Sequence, residues 1–396
     1  MSSFNQRRLT YGLDIANQKG LEIGPLVNPM VPRSSGEIKY VDRASTEELR
    51  EWYSRDPDIN VDEIMEIDYV WGDQSLAEAT GGDQFDYCIA SHVIEHIPDL
   101  ITWLQEISSI LKIGGVACFA VPDKRYTFDY LRKETTTSEL VENFVQRLRK
   151  PTTRQIFDHF ANFVELQAHE AWSAQFDPSQ LKPINTKERI LNVCKDAAET
   201  GKYVDSHCSV FTEQSFFTLM RDIAEMGLLP FKVKEVFPTC PGTFEFFVQL
   251  EKIDPDFSRE QIQAAFDASF DAKVNRRIEM DFQSDSACVP KIYYDTGEGY
   301  SEVETVIERY RAPGISQTLS FDLPSAPLAS IRFDPADVSV SIKIEALRHG
   351  SGKQLQELPL RNLKPVRQIE EVKIDATGLT AKTIAEASDP VFSLEL

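Results

Sequence analysis

Three residues at the ends of two predicted strands have the types and spacing of a nucleotide-binding site. Glu22 and Gly24 belong to the segment "KGLEIGPLVNP", and Asp42 ends a second apolar run, "IKYVD". Glycine lets the backbone approach a ligand closely, and an acidic residue about 20 positions beyond such a turn can hold a ribose diol. The later glycines of a phosphate-binding loop are missing, and Pro25 and Pro29 stand nearby. These residues alone leave open whether the segment is a cofactor loop or a strand that ends in a bend.

Three later segments carry a family resemblance. They are "GDQSL" (72–76), "FDYCIASHVIEHIPDL" (85–100) and "LKIGGVACFAVPD" (111–123). In order and spacing, residues 19–130 resemble class I S-adenosylmethionine-dependent methyltransferases, especially the branch whose fourth strand leads into an "hxxEH" helix. Weaker agreement continues to about residue 252. The resemblance implies a methyltransferase with S-adenosylmethionine bound over the first strands of a seven-stranded sheet.

The resemblance also implies roles for the residues at the strand ends. The acidic-x-Gly-x-Gly-x-Gly loop of the family corresponds to residues 22–28, in which only the first glycine is kept. The acid at the end of the second strand matches the ribose-binding residue, and the "GDQSL" segment matches the loop that contacts adenine. The turn after the fourth strand lines both cofactor and acceptor. The predicted cofactor-binding residues are Glu22, Gly24, Pro25, Asp42, Asp73, Gln74 and Ser91.

The missing glycines fit this cofactor better than a dinucleotide. S-adenosylmethionine has no pyrophosphate, so its loop need not be a cradle of backbone amides. Its methionine end needs a tight turn and a few polar groups, and we expect Glu22 to face its ammonium group directly or through water.

Methyl transfer can need a base, because an acceptor hydroxyl must lose its proton while the enzyme aligns the reactants and excludes water. The candidate bases are His92, His207, Asp123 and His159. His207 lies in "YVDSHCSVFT", where similar sequences carry an aspartate-x-histidine, and His207 and His92 are the predicted catalytic residues. The alternatives are a turn histidine bonded to Asp205 and a histidine that shapes the cofactor pocket.

Acceptor contacts are predicted after the fifth strand and on a covering helix. Asp123, Lys124 and Arg125 lie in "VPDKRYTFD" and are predicted to bind an anionic or sugar acceptor, although a solvated, salt-bridged loop is the alternative. His159 is predicted to contact the acceptor from a helix over the site. Glu95 and His96 are expected to cap and orient the following helix. Because no spacing of metal ligands supports a metal site, none is predicted.

Alternating strand and helix signals must position these residues. "GLEIG", "IKYVD", "FDYCIAS" and "VACFAVP" are apolar strand candidates, and apolar residues recur at helical spacing in "LITWLQEISSILK". This alternation predicts an α/β fold, a Rossmann-like doubly wound sheet of seven strands. We assign it to a methyltransferase domain over residues 1–253, with a helical insertion at about 131–206.

The rest of the chain has a different pattern. Residues 254–289 are predicted to be a helical connector, and short alternating runs in 290–396 predict an all-β sandwich. This region also resembles, less specifically, a module of bacterial surface-polysaccharide biosynthesis proteins. Tyr293, Tyr294 and Tyr300 are candidates for stacking on sugar rings. The alternative is a sandwich that stabilises the protein or mediates formation of a homo-oligomer.

Composition limits the partners and the compartment. The net charge of −21 disfavours nucleic acid and anionic membranes, because binding them depends on neutralising phosphates. No segment approaches the roughly 20 apolar residues of a membrane span, and the N-terminus lacks the apolar region of a secretion signal. Six cysteines without CxxC pairs favour a reducing compartment, so we expect a cytoplasmic protein.

The predicted function is therefore O-methylation of a sugar or a lipid-linked glycan by S-adenosylmethionine. One alternative is a small-molecule, quinone-type methyltransferase, since hxxEH proteins act on many acceptors. Another is a non-catalytic scaffold for glycan assembly that keeps the fold. Binding of NAD instead would indicate a dehydrogenase.

Overall fold

The strand–helix alternation of the first half of the chain forms a seven-stranded sheet in the computed structural model. Two compact units are present, Met1–Lys234 with Thr243–Ser269, and Glu235–Gly242 with Phe270–Leu396. The residues described are 3–173, 176–274, 276–297, 299–302, 304–351, 354–384, 387 and 389–396.

The seven-stranded sheet has the order β3-β2-β1-β4-β5-β7-β6. Its strands are β1 (Lys19–Ile23), β2 (Glu37–Asp42), β3 (Tyr69–Val70), β4 (Phe85–Ser91), β5 (Leu111–Pro122), β6 (Phe231–Phe237) and β7 (Glu245–Lys252). Strands β1 to β5 are parallel and β7 is antiparallel to β5. The strand order reverses between β1 and β4, so the carboxyl ends of these two strands flank the crevice where such sheets bind ligands. The predicted Rossmann-like fold is confirmed.

Helices connect these strands. They are α1 (Ser3–Leu9), α2 (Thr46–Tyr53), α3 (Leu76–Ala79), α4 (Leu100–Ile110), α5 (Thr137–Gln146), α6 (Thr153–Ala161), α7 (Ala168–Ala171), α8 (Lys187–Thr200), α9 (Glu213–Glu225) and α10 (Arg259–Lys273). Ser45 forms a capping box with Glu48 at the start of α2, the S/T-x-x-E pattern of a helix N-terminus. Thr212 caps α9.

The central strands form the core. In β4 and β5, Cys88, Ile89, Cys118 and Phe119 are fully buried, as expected for parallel strands covered on both faces. Trp103 of α4 packs its ring on Phe119 at a centroid distance of 5.6 Å. Strands buried in this way hold their carboxyl ends rigidly, and the candidate site residues project from those ends.

Four helices, α5 to α8, follow β5 in the segment for which a helical insertion was predicted. Helices α6 and α8 pack together through Ile156, Ile190 and Cys194. After α8 an extended segment, residues 201–211, returns to the sheet and makes a parallel bridge between Phe211 and Asp123. This return segment carries His207.

The second unit is built mainly of two antiparallel sheets, and an all-β C-terminal region is confirmed. One has the order β10-β9-β12-β18-β15, and the other β11-β8-β13-β17-β16, with β14 paired to β13. The strands are β8 (Arg276–Ser284), β9 (Lys291–Asp295), β10 (Thr305–Ile307), β11 (Gln317–Asp322), β12 (Ser330–Asp334), β13 (Ser341–Ser351), β14 (Gln354–Glu357), β15 (Leu363–Arg367), β16 (Ile369–Asp375), β17 (Gly378–Thr383) and β18 (Val391–Leu394).

Two predictions for this region are wrong in part, although α10 is helical and Tyr300 is exposed. The predicted helical connector ends at α10, and Arg276–Ser284 is instead a strand whose alternate residues are buried. This period of two is typical of a strand with one face on a core. Tyr293 and Tyr294 are buried, at 4% and 0% exposure, and are therefore not available to stack on a sugar.

No helix in the described parts of the chain has the length and apolar character needed to cross a membrane. All six cysteines are buried free thiols.

Candidate active site

The turn after β1 keeps a left-handed backbone at two positions. Gly24 has φ +68°, and Leu26 has φ +43°. Leu26 stands where the resembled loop has its second glycine, and its side chain packs against the cluster of Ala44, Leu49 and Ile64. The chain therefore follows the path of a glycine turn, and hydrophobic packing offsets the strain of a left-handed leucine. The carbonyl of Pro25 accepts a hydrogen bond from the Asn28 N–H at 3.0 Å, which closes the turn.

The Glu22 side chain stabilises this turn by binding its backbone. Its carboxylate accepts hydrogen bonds from the backbone N–H groups of Met30 at 2.7 Å and Val31 at 3.0 Å. The side chain is buried, and burial raises the pKa of Glu22 to about 7 although these two hydrogen bonds lower it. The expectation that Glu22 faces a ligand ammonium group is not supported by this geometry, because both carboxylate oxygens hold the returning backbone of the loop.

Asp42 lies next to Gly24 on the neighbouring strand. The pair Ile23–Val41 is in register, and the Gly24 N–H donates to the Val41 carbonyl at 2.9 Å. The Asp42 carboxylate accepts the backbone N–H of Arg43 at 2.6 Å. Burial raises its pKa to about 6, the backbone hydrogen bonds and Arg43 lower it, and nearby Asp205 raises it. An acidic group thus stands beside the crevice, where a diol can donate to it.

The "GDQSL" loop lies beside Asp42 because Arg43 binds it. The Arg43 guanidinium makes an ion pair with Asp73 at 2.8 Å and lies 4.2 Å from the ring centroid of Tyr203. Gln74 donates from its side-chain amide to the Val70 carbonyl at 2.8 Å. Asp73 is therefore placed near the end of β2, and Tyr203 brings the return segment to the same place.

The turn after β4 is strained and polar. His92 has φ +55°, which is rare for a residue with a side chain. The Ser91 hydroxyl is buried without a hydrogen-bond partner among the described residues. The His92 ring lies between two carboxylates, with Nδ1 3.7 Å from Glu95 and Nε2 3.7 Å from Glu245. Burial lowers its pKa, but Glu95 and Glu245 outweigh burial and raise it. Strained turns with unpaired polar atoms are typical of functional sites.

His207 is held by one contact to its ring and one to its backbone. Its Nδ1 lies 2.5 Å from Oδ2 of Asp129, and its backbone carbonyl accepts a hydrogen bond from Arg132 at 2.9 Å. Arg132 also pairs with Asp129 at 2.9 Å and with Asp158 at 2.8 Å. Burial raises the pKa of Asp129, but His207 and Arg132 outweigh it and bring it to about 2. An ionised carboxylate accepts only, so Nδ1 carries a proton, and in the neutral imidazole Nε2 presents the lone pair.

The alternative partner proposed for His207 is wrong, because Asp205 binds His96 instead. His96 Nδ1 lies 2.8 Å from Asp205, and the His96 ring meets the His207 ring edge-on at 4.7 Å between centroids. Burial lowers the pKa of His96, but Asp205 and Glu95 raise it to about 9.

The predicted capping role of Glu95 and His96 is also wrong. Asp99 caps α4, accepting the Thr102 N–H at 3.0 Å. The Glu95 carbonyl instead accepts the backbone N–H groups of Cys208 at 2.6 Å and Ser209 at 3.1 Å. The turn after β4 and the return segment are therefore joined at Glu95.

His159 lies deeper in the same cluster. It is buried, and its Nδ1 accepts the backbone N–H of His207 at 3.3 Å. Burial first, and then neighbouring His207, lowers its pKa to about 3. The rings of Phe128 and Phe160 pack edge-on to it. His159 therefore supports the His207 backbone in a neutral form.

Residues of the predicted acceptor loop bind one another. Asp123 is fully buried and accepts hydrogen bonds from Arg125 through Nε and Nη2 at 2.9 and 2.6 Å. Lys124 donates its backbone N–H to the Phe211 carbonyl, and burial lowers the pKa of its ammonium group. Direct binding of an acceptor by Asp123 is not supported, since its carboxylate fixes the loop. Sequence reasoning missed Asp129, the last residue of the same "VPDKRYTFD" segment.

Comparison with known proteins agrees with this architecture. A family model described as a methyltransferase domain matches residues 12–223, more than half of the chain. Among curated proteins, no sequence matches significantly.

Solved structures with a similar fold include several methyltransferases. The CurJ carbon methyltransferase is 12% identical over 62% of this chain and 51% of its own, with a TM-score of 0.28, so the chain spans about half the length of that relative. Magnesium protoporphyrin IX methyltransferase of Synechocystis, with bound SAH, is 8% identical over 60% of this chain and 76% of its own, with a TM-score of 0.27. An S-adenosylmethionine-dependent methyltransferase of Mesorhizobium loti is 13% identical over 62% and 95%, with a TM-score of 0.32.

Because these identities and TM-scores are low, the assignment depends on the family match. The fold and the crevice define an α/β protein of the Rossmann-like class. The chain belongs to the methyltransferase-domain family. Family membership confirms the predicted enzyme class, that of a methyltransferase domain.

The residues at the crevice fit the predicted cofactor, S-adenosylmethionine. Gly24 has no side chain to block the approach, and a Cβ there would come within 3.0 Å of Val93. Asp42 offers a carboxylate at the end of β2. The buried Ser91 hydroxyl makes no hydrogen bond to any described residue and can therefore bind a ligand. A cofactor without pyrophosphate needs few backbone donors, which agrees with a loop that keeps one glycine.

Proposed function

We propose that the protein methylates a hydroxyl group of a sugar or lipid-linked glycan, with His207 as the general base. S-adenosylmethionine supplies the electrophilic methyl group. The proposal is carried by the buried Asp129–His207 pair, which is joined through Glu95 to the turn after β4. The chain provides alignment, exclusion of water and a base, the contributions that such a displacement needs.

The proposed cofactor site uses the ends of β1, β2 and β4. Gly24 allows close approach, Asp42 accepts hydrogen bonds from the ribose diol, and Ser91 binds the cofactor from the other side of the crevice. Asp73 and Gln74 line the adenine end, where Arg43 positions their loop. Pro25 and Glu22 shape the turn rather than bind the cofactor through their own polar groups.

The proposed chemistry at His207 follows from its tautomer. Asp129 holds the proton on Nδ1, so Nε2 accepts the proton of the acceptor hydroxyl as the oxygen becomes nucleophilic. Arg132 fixes both members of the pair, and His159 fixes the His207 backbone. His92 lies at the strained turn on the cofactor side and orients the reacting groups together with Glu95 and Glu245.

The polarity of a cavity beside the histidine cluster supports a sugar acceptor. A cavity of about 810 Å³ lies between α6, α8 and the return segment, and Asp205 is among its lining residues. Its polar lining residues include Arg189, Asn192 and Lys202. Sugar hydroxyls can exchange hydrogen bonds with side chains of this kind, and the cavity reaches the carboxylate that holds His96.

One observation favours a different function, a non-catalytic scaffold. Both carboxylate oxygens of Glu22 accept hydrogen bonds from the backbone of its own loop, and a leucine replaces the second glycine of that loop. The two functions are separated by an assay with tritium-labelled S-adenosylmethionine and lipid-linked glycan extracts. The proposal predicts label transfer by the wild type and loss of transfer in His207→Asn with retained cofactor binding. No transfer to any glycan or small-molecule fraction by a protein that binds cofactor would favour the scaffold.

A further inference from the structure

Two groups of histidine and acidic side chains in the described chain have donor atoms within 4.8 Å of one another. The first consists of Glu95, His96 and His207, and the second of Asp129, His159 and His207. Both groups contain His207, so the orientation of its ring decides between them.

The ring nitrogens favour the first group. Nδ1 of His207 is bonded to Asp129 at 2.5 Å, and Nδ1 of His96 is bonded to Asp205 at 2.8 Å. Each imidazole therefore keeps Nε2 for a further ligand, and Nε2 of His96 lies 3.9 Å from Oε1 of Glu95. In the second group, the carboxylate of Asp129 is already engaged by Nδ1 of His207.

The surroundings of the first group are those of a metal site. Metal-binding histidines usually donate their second ring N–H to a carboxylate, which fixes the tautomer and raises the basicity of the ligand nitrogen. His96 and His207 both have such a carboxylate. Independently, Oε2 of Glu95 is buried with no hydrogen-bond partner among the described residues, and the Glu95 side chain is 2% exposed. A buried carboxylate oxygen without a donor is costly unless a cation or another ligand binds it.

We propose that Glu95, His96 and His207 bind a divalent transition-metal ion, with Zn²⁺ as the best match to this ligand set. Two imidazoles and one carboxylate suit Zn²⁺ and leave a position open for a water molecule or a substrate oxygen. Donor atoms around a tetrahedral Zn²⁺ lie about 3.5 Å apart, so the three side chains need to close by about 1 Å. The chain spacing, two adjacent residues and one more than 100 positions later, explains why no ligand pattern is visible in the sequence.

The ion would change how the acceptor is activated, a consequence that rests on the proposed function. With an ion bound, Nε2 of His207 would be a ligand and would no longer serve as the base; the acceptor hydroxyl would occupy the open position, and its proton would pass to solvent water. A hydroxyl bound to Zn²⁺ loses its proton at much lower pH than a free one. Asp129 and Asp205 then orient the two imidazole ligands.

Metal binding is tested on the full chain, stripped with a chelator and titrated with Zn²⁺ in a calorimeter. We expect one equivalent to bind, with affinity reduced at least a hundredfold in Glu95→Gln and in His96→Asn. Asp205→Asn should weaken binding about 10- to 100-fold, the usual effect of losing a carboxylate behind a ligand histidine. Two control variants replace histidines outside the site. His159→Asn changes the second group and His169→Asn changes an exposed residue, and both variants should still bind one equivalent of Zn²⁺. Thermal melting checks that each variant is folded.

A second measurement needs no variant. Co²⁺ bound to the wild type should give the visible absorption of a four- or five-coordinate site, and Zn²⁺ should displace it. Absence of a Zn²⁺ equivalent, or its loss in His159→Asn but not in His96→Asn, would overturn the metal site. Methyl transfer by a protein that binds no metal would leave the proposed function intact, whereas Zn²⁺ binding without any methyl transfer would refute the proposed function alone.

Discussion

Nδ1 of His207 lies 2.5 Å from Oδ2 of Asp129, and both side chains are almost fully buried. The two residues are far apart in sequence, one after β5 and the other on the return segment after α8. Arg132 binds the carboxylate of one and the backbone carbonyl of the other. The pair is therefore a fixed unit in which Nδ1 of His207 faces Asp129, and Nε2 is the nitrogen left to accept a proton or to bind an ion.

Removing either member of this pair should remove activity without removing the cofactor. We expect Asp129→Asn and His207→Asn each to lower kcat by about 10²- to 10⁴-fold, the range of a lost general base, and the double variant to be no worse than the poorer single. Affinity for S-adenosylhomocysteine should change little. Kinetics of the three variants, with calorimetry beside them, check this.

A stability control belongs with that experiment. Asp129→Asn also leaves Arg132 with one carboxylate fewer, and breaking a buried ion pair can cost about 3–5 kcal/mol. Asp158→Asn removes the other carboxylate of Arg132 and leaves the Asp129–His207 contact in place. If Asp158→Asn lost as much activity as Asp129→Asn at equal folded fraction, the catalytic role of the pair would be wrong.

Asp42→Ala should weaken cofactor binding. A ribose diol that donates to a carboxylate loses charged hydrogen bonds, so we expect the Kd for S-adenosylhomocysteine to rise about tenfold or more. Asp62→Ala removes an exposed carboxylate outside the crevice and serves as the matched control. Equal Kd values for Asp42→Ala and the wild type, measured by calorimetry, would mean that Asp42 ends β2 without binding the cofactor.

Two glycines with the same backbone conformation separate strain from function. Gly24 and Gly12 have φ of +68° and +70°, so alanine at either position should cost about 1–2 kcal/mol. A Cβ at Gly12 meets no atom within 4 Å, whereas one at Gly24 approaches Val93 in the crevice. We expect similar losses of Tm but a loss of cofactor affinity only in Gly24→Ala. A loss of affinity in both variants would show that strain alone explains it.

Glu22 should make stability depend on pH. Its pKa rises from an ordinary 4.5 to about 7 on folding, so between these values the folded protein binds more protons than the unfolded chain. The free energy of unfolding therefore falls as pH rises through this window, by up to about 3 kcal/mol. Glu22→Gln removes the titration, and its stability relative to the wild type should improve steadily from pH 4.5 to pH 7.

Denaturant unfolding across this pH range measures the effect. Glu48→Gln is the control, because Glu48 lies in a helix-capping box where hydrogen bonds from Ser45 lower its pKa. The linkage of Glu48 therefore lies below pH 4.5, so the stability curve of Glu48→Gln should run parallel to that of the wild type from pH 4.5 to pH 7. Parallel curves for wild type and Glu22→Gln would mean that Glu22 has an ordinary pKa in the folded state.

Strand ends were accessible to sequence reasoning because local patterns define them. The apolar runs before Gly24, Asp42 and Ser91 predicted the strands, and parallel strands bring such ends to one edge. The capping boxes at Ser45 and Thr212 were likewise local signals. The role of Glu22 was misjudged because its partners are backbone groups of a loop whose return path no pattern specifies.

The histidine cluster was beyond local patterns. His207 was singled out, but its partner was expected to be neighbouring Asp205, and the contact with Asp129 depends on how the return segment packs after α8. Glu95 and His96 follow β4 directly, which suggested a capping role that Asp99 fills instead. Only the tertiary fold brings His207 to them.

Binding of S-adenosylhomocysteine to the wild-type protein tests the central claim most directly. In a calorimeter, we predict a single site that also binds S-adenosylmethionine and does not bind NAD. Absence of heat and of competition with either sulfur compound, by a protein shown to be folded, would contradict a working methyltransferase, and binding of NAD in their place would indicate a dehydrogenase.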